Sequence, residues 1–152
     1  MREEKTTDLL NNALLSTNEN NFDEYLSRYS GNLVDSASGF TEHMRNCFVK
    51  HNRQQKDVFI AAFIPEKYGY SLISGEKHTR QRDTIIKLCL CGHFTIEETD
   101  CALKLYGMSS LYPRIARDAC LIVAFNSKMF EISDVNEMLI QHGFEPLYES
   151  MG

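Results

Sequence analysis

The chain has 152 residues, enough for one domain with its own hydrophobic core. Hydrophobic residues make up 43% of it and charged residues 24%, a balance that excludes wholesale disorder. The net charge of -5 argues against a polyanion that covers the whole surface. No apolar run is long enough to span a bilayer, and the first residues do not look like a signal peptide. We therefore expect a cytoplasmic protein without a membrane partner.

Residues 1–38 are predicted to form an N-terminal helical arm. Short helical patterns over residues 7–15 and 22–29 are interrupted by polar stretches, the last of which covers residues 36–39. We expect the remainder, residues 39–152, to form one compact all-α domain.

From Phe40 onward the apolar spacing is helical and predicts two short helices. Apolar side chains recur every three or four positions, so each segment can bury one face. They are Phe40, Met44, Cys47 and Phe48 in the first segment and Val58, Phe59, Ala61 and Ala62 in the second. A break is predicted near residues 51–53. Pro65 and Gly75 then fit the start and the end of a third short helix, because proline is tolerated in a first turn and glycine adopts the left-handed conformation.

Charge is unevenly distributed along the chain. In residues 40–87, nine Lys and Arg outnumber five Asp and Glu, whereas the rest of the chain has an excess of nine negative charges. This pattern is typical of a localised anion-binding face, and it is equally compatible with an ordinary solvated surface.

The C-terminal half contains an internal repeat. Residues 96–107 match residues 132–143 at an offset of 36, and Ile, Leu and Gly recur. Two dipeptides recur as well: Leu111-Tyr112 as Leu147-Tyr148, and Arg82-Asp83 as Arg117-Asp118. The pattern predicts two copies of a helical hairpin, over about residues 82–112 and 117–148, which must stack to bury their apolar faces.

Local signals within the repeat predict helix starts and a surface. Thr95 and Glu98 fit a capping box. Arg82-Asp83 is interpreted as a helix-start pair, because aspartate favours the positive end of the helix dipole. The second copy could provide extra core, a homodimer interface or a docking surface for a protein partner, and we favour core plus an interface. Exposure of Met129, Phe130 or Phe144 would mark that interface.

Signs of catalysis or metal binding are lacking. The five cysteines have no CxxC spacing and suit small buried hydrophobes in a reducing compartment. There is no glycine-rich phosphate loop, no His-Glu-x-x-His and no Gly-x-Ser-x-Gly, and the five histidines are scattered. We expect no enzymatic activity, no cofactor and no metal site.

One stretch carries a family resemblance. Residues 55–75 read QKDVFIAAFIPEKYGYSLISG, and Arg80-Gln-Arg-Asp83 leads the next apolar helix. Over residues 40–107 this order resembles the Cro/lambda-repressor-like helix-turn-helix family of the xenobiotic-response-element type, in a degenerate bacterial branch with an added C-terminal helical-hairpin repeat. The resemblance implies a supporting helix over residues 54–62 and a recognition helix over residues 65–74.

The resemblance also implies a function and a set of contacts. The chain would be a sequence-specific DNA-binding transcriptional regulator, acting as a dimer because one recognition helix reads few base pairs. Hydroxyls and rings would meet base edges, and basic side chains would neutralise phosphates. The residues concerned are Tyr68, Tyr70 and Ser71 for bases and Lys67, Lys77, His78 and Arg80 for phosphates.

Three departures from the family pattern support an alternative. Phe59 stands where the family usually has a small residue, Phe63 where it often has a glycine, and Glu66 near the expected phosphates. The alternative is a degenerate helix-turn-helix scaffold that acts as a protein-protein interaction module without DNA binding. An undetected helical enzyme is the third hypothesis.

Overall fold

The structure is a computed structural model that describes residues 36–149, with side chains from Gly39 onward. These residues form seven helices and no strand, which confirms the all-α fold class for this part of the chain. The helices are α1 (Ser36–Lys50), α2 (Gln55–Ala61), α3 (Glu66–Ser74), α4 (Arg82–Cys91), α5 (Ile96–Leu105), α6 (Ala116–Asn126) and α7 (Ile132–Gln141). The two short helices predicted in the N-terminal arm lie outside the described residues.

Helix α1 begins earlier than the sequence predicts. The polar stretch over residues 36–39, predicted as a break, forms its first turn. The expected apolar stripe faces the core, since Phe40, Met44, Cys47 and Phe48 are all buried. The Thr41 hydroxyl donates a hydrogen bond to the backbone carbonyl of Ile73, with 2.6 Å between the oxygens, and so joins α1 to the end of α3.

Helices α2 and α3 lie within one residue of their predicted bounds. Pro65 directly precedes α3, and Gly75 ends it with a φ of 86°, a conformation that glycine adopts without strain. The backbone N–H of Lys77 then donates to the carbonyl of Ser71, which fixes the chain that leaves the helix.

The turn between α2 and α3 contains a strained residue. Phe63 has a φ of 56°, and its side chain is 71% exposed. A left-handed backbone costs an L-residue other than glycine roughly 1–2 kcal/mol.

We expect Phe63→Gly to raise the free energy of unfolding by about 1 kcal/mol, because glycine relieves the strain and little packing is lost. Denaturant unfolding followed by circular dichroism measures this change. Asn52, which has a φ of 54° in the turn after α1, provides the matched control. Asn52→Gly should change the stability less, because asparagine tolerates this conformation. A loss of stability in Phe63→Gly would show that the backbone of Phe63 does not store strain.

Helix α4 lies at the centre of the fold. Every residue from Thr84 to Cys91 is buried, and the helix packs against α2, α5 and α7. A helix that is apolar almost all round is typical of a core element. The exception is Lys87, which is 2% exposed. Burial lowers the pKa of its ammonium group, although nearby Asp83 partly opposes that effect.

The starts of α4 and α6 are joined by two reciprocal ion pairs, which we call the Arg–Asp clamps. Arg82 binds Asp118 through both guanidinium ends, with N–O distances of 2.9 and 2.8 Å. Arg117 binds Asp83 in the same way, at 3.0 and 2.8 Å. Paired hydrogen bonds of this kind fix orientation as well as distance. Arg82 and Asp83 begin α4, as predicted for a helix-start pair, and their side chains also bind partners at the start of α6.

Each clamp also holds the segment that follows a pair of helices, α4–α5 or α6–α7. The second oxygen of Asp118 accepts the backbone N–H of Tyr112, and that of Asp83 accepts the N–H of Tyr148, both at 2.9 Å. Arg82 donates to the carbonyls of Ser109 and Ser110, whereas Arg117 donates to those of Glu145 and Pro146. The two Leu-Tyr dipeptides therefore occupy equivalent surroundings.

The capping box is confirmed, because the N–H of Glu98 donates to the Thr95 hydroxyl and the Glu98 carboxylate accepts the N–H of Thr95. Met129, Phe130 and Phe144 are half-buried and pack against the core, so they do not meet the exposure criterion for an interface. None of the helices between Ser36 and Gln141 has the length and apolar character needed to cross a membrane.

Candidate nucleic-acid interface

The fit between α2 and α3 depends on Phe59 and Gly69. Phe59 is completely buried, and its ring lies where a Cβ atom on Gly69 would stand, only 2.5 Å away. The bulky ring of Phe59 is therefore accommodated by a glycine on the facing helix. This close approach sets the position of α3 on the domain.

The predicted contact residues of α3 do not share one environment. Lys67 and Tyr70 are exposed, and the Tyr70 ring packs edge-on against Phe59, with centroids 5.0 Å apart. Tyr68 is half-buried against the core. Ser71 is 7% exposed, so its hydroxyl is not offered at the surface, and we leave it out of the interface.

The loop after α3 carries the other three predicted residues. Lys77 is exposed and places its ammonium group 5.8 Å from the centre of the Tyr68 ring, within cation–π range. His78 stacks on Tyr106 at the end of α5, with ring centroids 4.2 Å apart and planes 7° from parallel. The Tyr106 hydroxyl accepts the backbone N–H of Thr79 at 2.8 Å, so the loop is held on α5. Arg80 is exposed in the same loop.

The positive charge of this region is weaker at the surface than the sequence suggests. Three of the nine basic residues point inward: Lys87 is buried, Arg82 is in a clamp, and Arg53 donates to the carbonyl of Cys91. The six exposed ones are Arg45, Lys50, Lys56, Lys67, Lys77 and Arg80, against four exposed acids, Glu42, Asp57, Glu66 and Glu76. Phosphate binding here would depend on a few well-placed side chains rather than on a strong overall field.

Glu66 influences the outer face of α3. Desolvation and the neighbouring Glu66 carboxylate together raise the pKa of the Tyr70 hydroxyl, and Glu66 is also its hydrogen-bond partner. A phosphate or base acceptor would compete with Glu66 for this hydroxyl.

Two exposed apolar residues lie close to the predicted contact residues of α3. Ile60 at the end of α2 is 63% exposed, and Phe63 in the turn is exposed as well. Both belong to stretches whose neighbours are buried, so the apolar pattern alone gave no sign of their exposure. Together with the Tyr70 ring they give the α2–α3 region an apolar as well as a basic character.

A second polar cluster joins α1 to α5 around Glu98. Its carboxylate accepts hydrogen bonds from His51 at 2.7 Å and from Lys50 at 3.2 Å, besides that from the Thr95 N–H. Burial by itself raises the pKa of Glu98, but these hydrogen bonds outweigh it and hold the pKa at about 2. The cluster is a charged brace between two helices.

We expect Glu98 to make stability pH-dependent. Its pKa falls from 4.5 to about 2 on folding, so its contribution is fully present above pH 4.5 and is lost as the pH falls through about 2. The shift corresponds to about 3 kcal/mol. Unfolding titrations of the wild type and Glu98→Gln should therefore differ by about that amount at pH 7 and converge near pH 2. Glutamine still fits a capping box, which isolates the charge. Glu97→Gln provides the control, because Glu97 is exposed. If the free energy of unfolding depended on pH in the same way in both variants, Glu98 would not stabilise the contact between α1 and α5.

The thiol beside this cluster is not set up for chemistry. Burial and the Glu98 carboxylate raise the pKa of Cys47 to about 12, so the thiol stays protonated at neutral pH and is a poor nucleophile. Burial likewise raises the pKa of Cys91 to about 12. Among residues 36–149, no three His, Cys, Asp or Glu side chains are grouped so that they could hold a metal ion.

Comparison with known proteins adds no relative. No family model, curated protein or solved structure matches the chain.

Proposed function

We propose that the chain is a sequence-specific DNA-binding transcriptional regulator of the helix-turn-helix type, with α3 as the recognition helix. The observation that carries the proposal is the sequence of a seven-residue α2, a short turn and a nine-residue α3, followed by a loop with exposed basic residues. Such a pair of helices places the N-terminal residues of the second helix in a major groove while the first crosses the backbone.

The proposal assigns a chemical role to each exposed residue. Lys67 and Tyr70 would meet base edges or nearby phosphates from α3, and Lys77 and Arg80 would bind phosphates from the loop. The positive φ at Phe63 supports the proposal, because it is the conformation for which the family often uses glycine at this turn. Phe59 does not weaken it, because Gly69 makes room for the ring.

The finer description of the fold is part of the same proposal. We propose a lambda-repressor-like core around α2 and α3, and two copies of one helical hairpin over residues 82–112 and 117–148. The equivalent clamps at Asp83 and Asp118 support the second point. The protein would act in the cytoplasm as a dimer, because one recognition helix contacts too few base pairs for a unique site.

A second candidate function is supported by the apolar side chains on the same elements. Ile60 and Phe63 are more than half exposed, and Glu66 opposes an approaching phosphate. Exposed apolar groups of this size often mark contacts with proteins. A helix-turn-helix scaffold that binds a protein partner instead of DNA would account for them.

Binding to fluorescent DNA from the region upstream of its own coding sequence distinguishes the two. We expect saturable binding that outcompetes random DNA and weakens steeply with salt. Lys77→Ala combined with Arg80→Ala should flatten the dependence of log affinity on log salt by about two, because two phosphate contacts are lost.

A charge-matched variant controls for the loss of positive charge. Arg114 and Lys128 are exposed and lie outside α2, α3 and the following loop. Arg114→Ala combined with Lys128→Ala should leave the salt dependence nearly unchanged. The DNA-binding proposal fails if the protein does not bind at low salt, or if both double variants have the same effect.

A further inference from the structure

An open cleft lies between the end of α5 and the loop that follows α3. Its volume is about 400 Å³, within the range of clefts that hold small organic molecules. Lys77 and His78 line it from the loop, Lys104 and Tyr106 from α5, and Phe40 from α1. The space is accessible on the α5 side, because a Cβ atom on Gly107 would meet nothing within 4 Å.

One wall of the cleft is aromatic and held in place. Tyr106 lies between two rings, with His78 stacked parallel to it and Phe40 tilted against it at a centroid distance of 4.7 Å. The hydrogen bond from Thr79 fixes the Tyr106 hydroxyl, and Phe40 is buried. A wall that is already ordered loses little conformational freedom when a planar ligand stacks on it.

The charges of the cleft have one sign. Lys77 and Lys104 are exposed, and no carboxylate is among the lining residues. Neither lysine forms an ion pair with the acidic side chains of residues 39–149. In a chain with a net charge of -5, a recess that places two ammonium groups beside an aromatic wall favours anions that carry a ring.

We propose that this cleft binds a small molecule in which a planar ring is joined to an anionic group, as in a nucleoside monophosphate. The ligand ring stacks on the exposed ring of His78, which Tyr106 supports from its other side, and the anionic group bridges Lys77 and Lys104. The site itself does not depend on the proposed function. One consequence does rest on it: Lys77 and His78 also belong to the proposed DNA surface, so a bound ligand competes with DNA.

Calorimetric titration of the full chain with three probes tests the site. AMP has both ring and charge, adenosine has only the ring, and inorganic phosphate has only the charge. We expect AMP to bind at one site per chain, about tenfold or more tightly than either of the others, because stacking and charge act together. Equal affinities for AMP and phosphate, or for AMP and adenosine, would overturn the proposal.

Lys104→Gln provides the decisive variant, because Lys104 is exposed and lies outside the proposed DNA surface. We expect it to weaken AMP binding about tenfold, whereas the matched Lys56→Gln on α2 leaves that affinity unchanged. An unchanged AMP affinity in Lys104→Gln would also overturn the proposal. DNA binding should be unaffected by Lys104→Gln. A protein that binds AMP at this site but no DNA contradicts only the proposed function.

Discussion

Replacing Asp118 with alanine is expected to lower the free energy of unfolding by about 3–5 kcal/mol. Asp118 is 2% exposed and accepts hydrogen bonds from both ends of Arg82 and from the backbone of Tyr112. Its loss leaves the Arg82 guanidinium with only its hydrogen bonds to the carbonyls of Ser109 and Ser110 and no counter-charge, and it leaves the backbone amide of Tyr112 without its acceptor. Thermal and denaturant unfolding measure the change.

Two further variants test whether the effect comes from the pair. Arg82→Met combined with Asp118→Leu should cost less than the sum of the two single changes, because no uncompensated charge remains. Asp134→Ala, at an exposed position in the first turn of α7, should cost less than about 1 kcal/mol. A cost of that small size for Asp118→Ala would show that the clamp does not hold the starts of α4 and α6 together.

Gly69→Ala is expected to destabilise the protein by about 1–3 kcal/mol, although alanine usually favours a helix. The added Cβ would lie 2.5 to 2.7 Å from three atoms of the Phe59 ring, so α3 or the ring must move. The cost should be visible in denaturant unfolding. In the proposed function, a displaced α3 also weakens DNA binding.

A smaller side chain at position 59 provides the control. Phe59→Ala removes the Cγ, Cδ1 and Cε1 atoms that block the new methyl group, at its own, larger cost in packing. In that background, Gly69→Ala should be neutral or slightly stabilising, because the helix preference for alanine remains and the clash is gone. An identical effect of Gly69→Ala in both backgrounds would mean that the contact with Phe59 does not set the position of α3.

Local sequence signals predicted the helices well. Pro65 and Gly75 gave the bounds of α3 to within one residue, and Thr95 with Glu98 gave the start of α5. These signals are short-range, because a helix end is determined by a few residues and their caps. The start of α1 was missed, since a stretch of small polar residues is a weak guide to where a helix begins.

The surroundings of single side chains were harder to predict. Ser71 was placed at the surface, but α3 has only about two turns and its apolar pattern is too short to define the buried face. The sequence predicts Lys87 as a surface charge, because the apolar pattern of a short helix does not show that the helix is enclosed on all sides. Arg82 binds Asp118, which lies 36 positions away. The recurrence of Arg-Asp in the sequence does not show that each arginine binds the aspartate of the other copy.

The Arg–Asp clamps also determine how the domain can open. Helix α4 supplies the carboxylate that holds the chain at Tyr148, after α7, and helix α6 supplies the one that holds Tyr112, after α5. If the α4–α5 pair frays, the α6–α7 pair loses the anchor of its final segment and keeps Arg117 without the Asp83 carboxylate. We therefore expect the two helix pairs to unfold together rather than one at a time.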